Sequence, residues 1–97
     1  MHSTVPLTQR FLITGHVQGV WYRASMCEQA QALGVRGWVR NRQDGSVEAL
    51  CHGTVGQLQA LLAWSRAGPP NARVDAVDVQ HAPAEPLAPT FVQRPSV

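Results

Sequence analysis

The stretch Gly15-His16-Val17-Gln18-Gly19-Val20-Trp21-Tyr22-Arg23 decides how the rest of the chain is arranged. Alternating apolar residues at 9–14 predict a β-strand before it, and the pattern at 24–33 predicts an amphipathic helix after it. The stretch is therefore predicted to be a loop between a strand and the first turn of a helix. Gly15 and Gly19 can adopt positive φ angles, which lets the main chain approach a ligand closely.

Such a loop is a candidate site for a phosphate-like anion. Main-chain N–H groups at a helix N-terminus point toward a ligand, and the helix dipole adds positive potential. Arg23 lies in the first helical turn, where its planar guanidinium can bond two phosphate oxygens. Because the dipole disfavours a cation at this end of a helix, the position of Arg23 itself favours an anionic ligand.

Length and composition predict one globular domain over residues 1–97, with a core at about 9–94 and a loose lead-in at 1–8. The chain is 44% hydrophobic and 14% charged, which is typical of a folded globule rather than a disordered chain. Its basic residues are all arginines and are scattered, and its net charge is only +2. A nucleic-acid-binding domain usually carries a denser basic face, so we expect no nucleic-acid partner.

The sequence predicts a cytoplasmic protein without a membrane partner. It shows no secretory signal pattern and no apolar run of membrane-spanning length. Cys27 and Cys51 could form a disulfide in principle, but free thiols are expected in this compartment. The cysteines and the scattered histidines have no metal-ligand spacing, so we expect neither a metal nor a cofactor.

The remaining pattern predicts six elements and a possible seventh. They are a strand at 9–14, a helix at 24–33, strands at 35–41 and 46–52, a second helix after Thr54, a strand at 73–80 and a possible short edge strand at 91–94. Asp44-Gly45 predicts a hairpin turn, and Thr54 with Gln57 predicts a capping box. The apolar alternation shifts after Val74, which predicts a β-bulge in the fourth strand.

The order β-α-β-β-α-β is the split βαβ arrangement of ferredoxin-like folds. The fold class is therefore predicted to be α+β, a two-layer sandwich with both helices on one face of an antiparallel sheet. The first two strands run parallel because a helix crosses over between them. Asn41 ends the second strand, so we expect it at the same end of the sheet as the loop and Arg23.

Two long motifs in this chain resemble those of the acylphosphatase family. The family's loop, Gly-x-Val-Gln-Gly-Val-x-Phe-Arg, is matched by residues 15–23 except that Tyr22 replaces phenylalanine. Its second motif, Gly-aromatic-small-basic-Asn, then Gly-x-Val and a further Gly, is matched by residues 37–41, 45–47 and Gly53. Residues 68–74 are also similar to the family's entry to the fourth strand, so the resemblance covers about residues 9–94.

This resemblance implies hydrolysis of acyl phosphates to a carboxylate and inorganic phosphate, without a metal, a cofactor or a phosphoenzyme. It implies two catalytic residues, Arg23, which binds the phosphoryl group, and Asn41, which holds the attacking water. The phosphate-binding residues would be Gly15, His16, Val17, Gln18, Gly19, Val20, Trp21, Tyr22 and Arg23. The expected partners are a small-molecule acyl phosphate and inorganic phosphate, and the expected state is a monomer.

Within the loop, we expect Gln18 to brace the main chain rather than touch the reaction, and His16 to face solvent. The alternative function is a ferredoxin-like module that binds phosphate or RNA with little turnover. RNA-binding modules of this topology need aromatic residues at fixed positions on the central strands and a Gly-Phe-Gly-Phe-like run, which the sequence lacks. The sequence leaves open a phosphate-binding module that kept the loop but is a poor enzyme.

Overall fold

The computed structural model describes residues 5–97 and contains every predicted element, in the predicted order. The strands are β1 (Leu7–His16), β2 (Arg36–Asn41), β3 (Val47–Gly53), β4 (Arg73–His81) and β5 (Phe91–Gln93), and the helices are α1 (Tyr22–Leu33) and α2 (Val55–Ala67). Residues 1–4 of the predicted lead-in lie outside the described residues. The prediction is wrong for Leu7 and Thr8, which pair with β3 as the first residues of β1. Neither of the two described helices is long and apolar enough to cross a bilayer.

The five strands form one sheet in the order β4-β1-β3-β2-β5. β3 is antiparallel to both of its neighbours, so β1 and β2 run in the same direction on either side of it. The predicted antiparallel arrangement is confirmed for β1 to β4, and the predicted short edge strand is present as β5, which pairs with β2 in parallel. The connection at 82–90 reaches the far edge of the sheet at the end where β4 finishes. β5 therefore runs opposite to β4 and parallel to β2.

The core lies between the sheet and both helices. Phe11, Ile13 and Val39 point into it from the sheet and are fully buried. The predicted amphipathic character of α1 is confirmed, because Tyr22, Met26 and Ala30 on one face are buried and Leu33 packs against the core. On α2 the buried residues are Leu58, Leu61 and Ser65, whereas Val55 at the first helical position is 37% exposed.

Two local predictions, the capping box and the β-bulge, are also confirmed. Thr54 and Gln57 form a reciprocal capping box at the start of α2. In β4 the register shifts where Thr14 faces Ala76 but Gly15 faces Val74, which leaves one extra residue as the predicted bulge. Gly15 has φ 127°, and a Cβ there would lie 2.1 Å from the Arg73 carbonyl oxygen, so only glycine lets β4 approach this closely.

The face of the sheet away from the helices carries a partly buried ionic cluster. The Glu48 carboxylate accepts hydrogen bonds from Arg10 Nε at 2.5 Å and from Arg40 Nε at 2.7 Å. Arg40 also lies over the Trp38 ring at 4.6 Å, and the Trp38 Nε1–H donates to Glu85 in the 82–90 connection. This cluster therefore fixes the connection across the sheet, and Trp38 is a packing residue.

We expect Glu48→Gln to lower the free energy of unfolding at neutral pH by about 1.5–3 kcal/mol, the range for hydrogen bonds to charged groups. Burial raises the pKa of Glu48, but the hydrogen bonds from Arg10 and Arg40 outweigh it and hold the pKa below its usual value. The stabilisation is therefore full above the unfolded-state pKa, about 4.3, and is lost as the pH falls through the lower folded-state pKa.

Urea unfolding of both proteins from neutral to acid pH measures this difference. The exposed Glu28 on α1 supplies the control, Glu28→Gln, which should leave stability within about 0.5 kcal/mol. A difference between wild type and Glu48→Gln that stayed constant down to acid pH would contradict the ionic origin of the effect.

Candidate active site

A cleft of about 360 Å³ opens where the loop after β1, the start of α1 and the ends of β2 and β5 meet. The residues that line it are Val17, Gln18, Gly19, Trp21, Tyr22, Arg23, Ala24, Asn41 and Gln93. Arg23 and Asn41, singled out from the sequence, thus share one cleft although they lie on different elements. The shared direction of β1 and β2 explains this, because the loop and Asn41 both follow strand ends on the same side of the sheet.

The start of α1 presents main-chain donors without acceptors in the protein. Trp21 precedes the helix in a left-handed conformation, with φ 66°, and offers no side-chain cap. The N–H groups of residues 17–24 donate to no acceptor within the described part of the chain. The first turn also has no acidic side chain. This end of the helix is therefore a positive, donor-rich surface suited to an anion.

Arg23 adds a charge that nothing in the described range neutralises. It is half-buried and forms no hydrogen bond or ion pair with residues 5–97, whereas Arg10, Arg40 and Arg73 each pair with a carboxylate. A half-buried guanidinium without a counterion, beside free N–H groups, is suited to bind an oxyanion through two parallel hydrogen bonds.

Asn41 occupies the last position of β2, where its main chain is held on both sides. It pairs with Val47 of β3, and its carbonyl oxygen accepts from the Val97 N–H at 3.0 Å. Its side chain shares the helix-facing side of the sheet with Val39, two residues earlier. The Oδ1 atom is shielded from solvent and has no hydrogen-bond partner among the described residues. An unpaired buried acceptor costs about 1–3 kcal/mol and is typical of functional sites.

Gln18 connects the two halves of the site. Its Nε2 donates to the Arg42 and Ser46 carbonyl oxygens, each at 2.8 Å. Arg42 directly follows Asn41, so the Gln18 side chain ties the loop after β1 to the strand end that carries Asn41. The bracing role expected from the sequence matches this geometry.

Tyr22 anchors the start of α1 to the second helix. Its hydroxyl donates to the Ser65 carbonyl oxygen at 2.7 Å, and its ring packs against Trp64 with centroids 5.4 Å apart. Burial raises the pKa of Tyr22, which keeps the hydroxyl protonated. The side chain therefore holds the helix in place rather than supplying a proton to a ligand.

Three residues of the predicted phosphate-binding loop, Gly15, His16 and Val20, do not line the cleft. Gly15 serves the contact with β4, His16 is exposed as expected, and Val20 is buried in the core. Val17 lines the cleft, but its side chain is also buried in the core. Some residues of the loop therefore fix its position against β4 and the core, and the others face the cleft.

Sequence reasoning missed two residues of the cleft, Ala24 and Gln93. Ala24 simply follows Arg23 on the helix. Alternation along β5 could have placed Gln93 on the inner side with the buried Phe91, but only the pairing of Gln93 with Val39 brings it beside Asn41. That pairing depends on the parallel arrangement of β5, for which the sequence has no local signal.

The two cysteines take no part in the cleft. Both are free and buried, and burial raises the pKa of each thiol, which disfavours the reactive thiolate. Within residues 5–97, no three side chains of His, Cys, Asp or Glu are grouped closely enough to hold a metal ion.

The family model and the curated relatives point to the same family. The acylphosphatase family model matches residues 9–92. A curated acylphosphatase from Acidovorax sp. is 56% identical over 82 residues, which cover 84% of each chain. An acylphosphatase from Rhodospirillum rubrum is 54% identical over 85 residues, which cover 88% of this chain and 92% of the relative.

The fold agrees as well. The solved structure of an acylphosphatase from Coxiella burnetii superposes with a TM-score of 0.86 at 31% sequence identity, covering 92% of this chain and 93% of the other. The match includes the loop, the strand end that carries Asn41 and nearly the whole sandwich, and on these findings the chain belongs to the acylphosphatase family.

Proposed function

We propose that Arg23 and the free N–H groups of residues 17–24 bind the phosphoryl group of an acyl phosphate while Asn41 orients the attacking water. One observation carries this assignment: Arg23 and Asn41 line the same cleft, and neither the guanidinium nor the Asn41 Oδ1 has a partner among the described residues. The protein engages neither group, and the surrounding main chain holds both residues at the same cleft.

The reaction that this arrangement supports is hydrolysis at phosphorus. The water oxygen forms a bond to phosphorus as the bond between phosphorus and the acyl oxygen breaks, and the electron pair of that bond leaves with the carboxylate. The transition state is loose, so it needs charge stabilisation and alignment more than a strong base. Arg23 and the loop N–H groups stabilise the charge on the equatorial oxygens.

Asn41 can orient the water because a carboxamide both accepts and donates hydrogen bonds. Rotation of the Asn41 side chain brings Oδ1, which is shielded from solvent in the free protein, to the water. The hydrogen bond that Oδ1 then accepts directs the lone pair of the water oxygen toward phosphorus. The residues that line the cleft include no Asp, Glu or His, and the Tyr22 hydroxyl already donates to Ser65. The water proton therefore passes to a phosphoryl oxygen of the substrate, so that the products are a carboxylate and inorganic phosphate.

The proposal includes a small-molecule substrate, no metal ion, no nucleic-acid partner and a cytoplasmic monomer. The ion pairs of the arginines support the absence of a nucleic-acid partner, because Arg10, Arg40 and Arg73 are already paired with carboxylates. The remaining arginines are spread over several elements of the chain.

Hydrolysis of acetyl phosphate, followed by phosphate release with and without EDTA, tests the activity and its independence of metals together. We expect the same rate in both conditions. A rate that EDTA abolishes and a divalent cation restores would contradict the metal-free mechanism. Binding of inorganic phosphate without detectable hydrolysis would instead favour the phosphate-binding module.

A further inference from the structure

The cleft is lined by more residues than the binding of a phosphoryl group requires. Arg23, the loop N–H groups and Asn41 account for phosphate and water, but Trp21 and Gln93 also line the same space. Its volume of about 360 Å³ lies within the range of small-molecule pockets, about 300–1,000 Å³, whereas the phosphoryl group has only four heavy atoms. The remaining space is available to the acyl end of the substrate.

Trp21 presents an indole ring to this space at a conformational cost. It is the only non-glycine residue in the described range with a positive φ, and its side chain is 79% exposed. The left-handed conformation is unfavourable for any residue with a Cβ. Its ring packs against no other aromatic ring within residues 5–97. A strained main chain and an exposed indole at the edge of the cleft, two residues from Arg23, together point to a ligand-binding role.

Gln93 supplies a free carboxamide from a different element. It lies on the inner side of β5, in register with Val39 and therefore close to Asn41 along the sheet. The side chain is exposed and makes no hydrogen bond with any residue from 5 to 97. Its Nε2 is available to donate to an oxygen of a ligand in the cleft.

We propose that Trp21 and Gln93 form an acyl-binding subsite that favours planar, unsaturated acyl groups over small alkyl groups. The planar acyl group packs on the Trp21 indole, and Gln93 Nε2 donates to the carbonyl oxygen of the acyl group. This oxygen gains negative charge as the carboxylate leaves, so the hydrogen bond strengthens in the transition state. The inference rests on the proposed function, because it places the phosphoryl group at Arg23.

The test compares kcat/KM for benzoyl phosphate, which has a planar ring, with that for acetyl phosphate, which has only a methyl group. We expect Trp21→Gly to reduce the benzoyl-to-acetyl ratio about 3- to 10-fold, the size of one aromatic contact. Glycine is chosen because it accepts φ 66° without strain. Trp21→Phe retains an aromatic face and should keep most of the ratio. Both substrates carry the same phosphoryl group, so a change in how the loop binds phosphate affects both kcat/KM values alike and cancels in the ratio.

Gln93→Ala should lower kcat/KM for both substrates by a similar factor, about 3- to 10-fold, because both have the carbonyl oxygen. Gln29→Ala is the matched control, since Gln29 is exposed on α1 and does not line the cleft, and it should change neither value.

The outcomes separate the subsite from the proposed function. An unchanged ratio in Trp21→Gly, or unchanged kcat/KM values in Gln93→Ala, overturns the corresponding half of the subsite while wild-type hydrolysis still supports the proposed function. Failure of the wild-type protein to hydrolyse either substrate overturns the function itself. A ratio that falls equally in Trp21→Gly and Trp21→Phe would contradict packing on an aromatic face.

Discussion

Arg23→Ala is expected to lower kcat/KM for acetyl phosphate by about 10²–10³-fold, the loss typical of removing one preorganised group that stabilises transition-state charge. The same change should weaken the binding of inorganic phosphate, because Arg23 contacts the phosphoryl oxygens in the ground state as well. Arg23 has no partner among the described residues, so its removal breaks no ion pair and should leave the free energy of unfolding nearly unchanged. Steady-state kinetics and calorimetric titration with phosphate measure the two effects.

Two further variants sharpen this test. Arg23→Lys keeps the positive charge but loses the planar fork, so its activity should fall between those of wild type and Arg23→Ala. Arg66→Ala is the matched control, because Arg66 is an exposed arginine on α2 that does not line the cleft. Normal phosphate affinity in Arg23→Ala would show that the loop N–H groups bind the anion without the guanidinium.

Local signals explain why so much of the fold could be predicted from the sequence. The Thr54 capping box and the phase shift after Val74 are each encoded within a few residues, and the structure contains both. The direction of β5 has no such local code. It depends on where the 82–90 connection crosses the sheet, and that path is held by contacts such as Trp38 with Glu85, which are distant in sequence.

The residues of the candidate site also differ in whether local sequence signals could predict them. Arg23 and Asn41 could be predicted because they belong to long motifs and because helix crossover fixes the relative direction of β1 and β2. Which loop residues face the cleft could not be read from the motif, since Val20 turns its side chain into the core. Gln93 was missed because its place beside Asn41 follows from the parallel pairing of β5 with β2.

Asn41→Ala is expected to separate catalysis from binding. It should lower kcat for acetyl phosphate about 10²–10³-fold, because the water loses the group that orients it while Arg23 and the loop remain. The affinity for inorganic phosphate should stay close to that of wild type, which assigns the loss to the transition state. Asn71→Ala, at an exposed position before β4, should leave both kcat and phosphate affinity unchanged.

Stability distinguishes this role from a structural one. If Asn41 held the fold together, its removal would lower the free energy of unfolding along with kcat. Its Oδ1 instead has no partner to lose, so Asn41→Ala should leave stability unchanged or raise it by up to about 1–3 kcal/mol, the cost of an unpaired buried acceptor. A protein that is equally or more stable, binds phosphate normally and hydrolyses acetyl phosphate slowly fits only a residue kept for the reaction. Wild-type turnover in Asn41→Ala would mean that another group aligns the water.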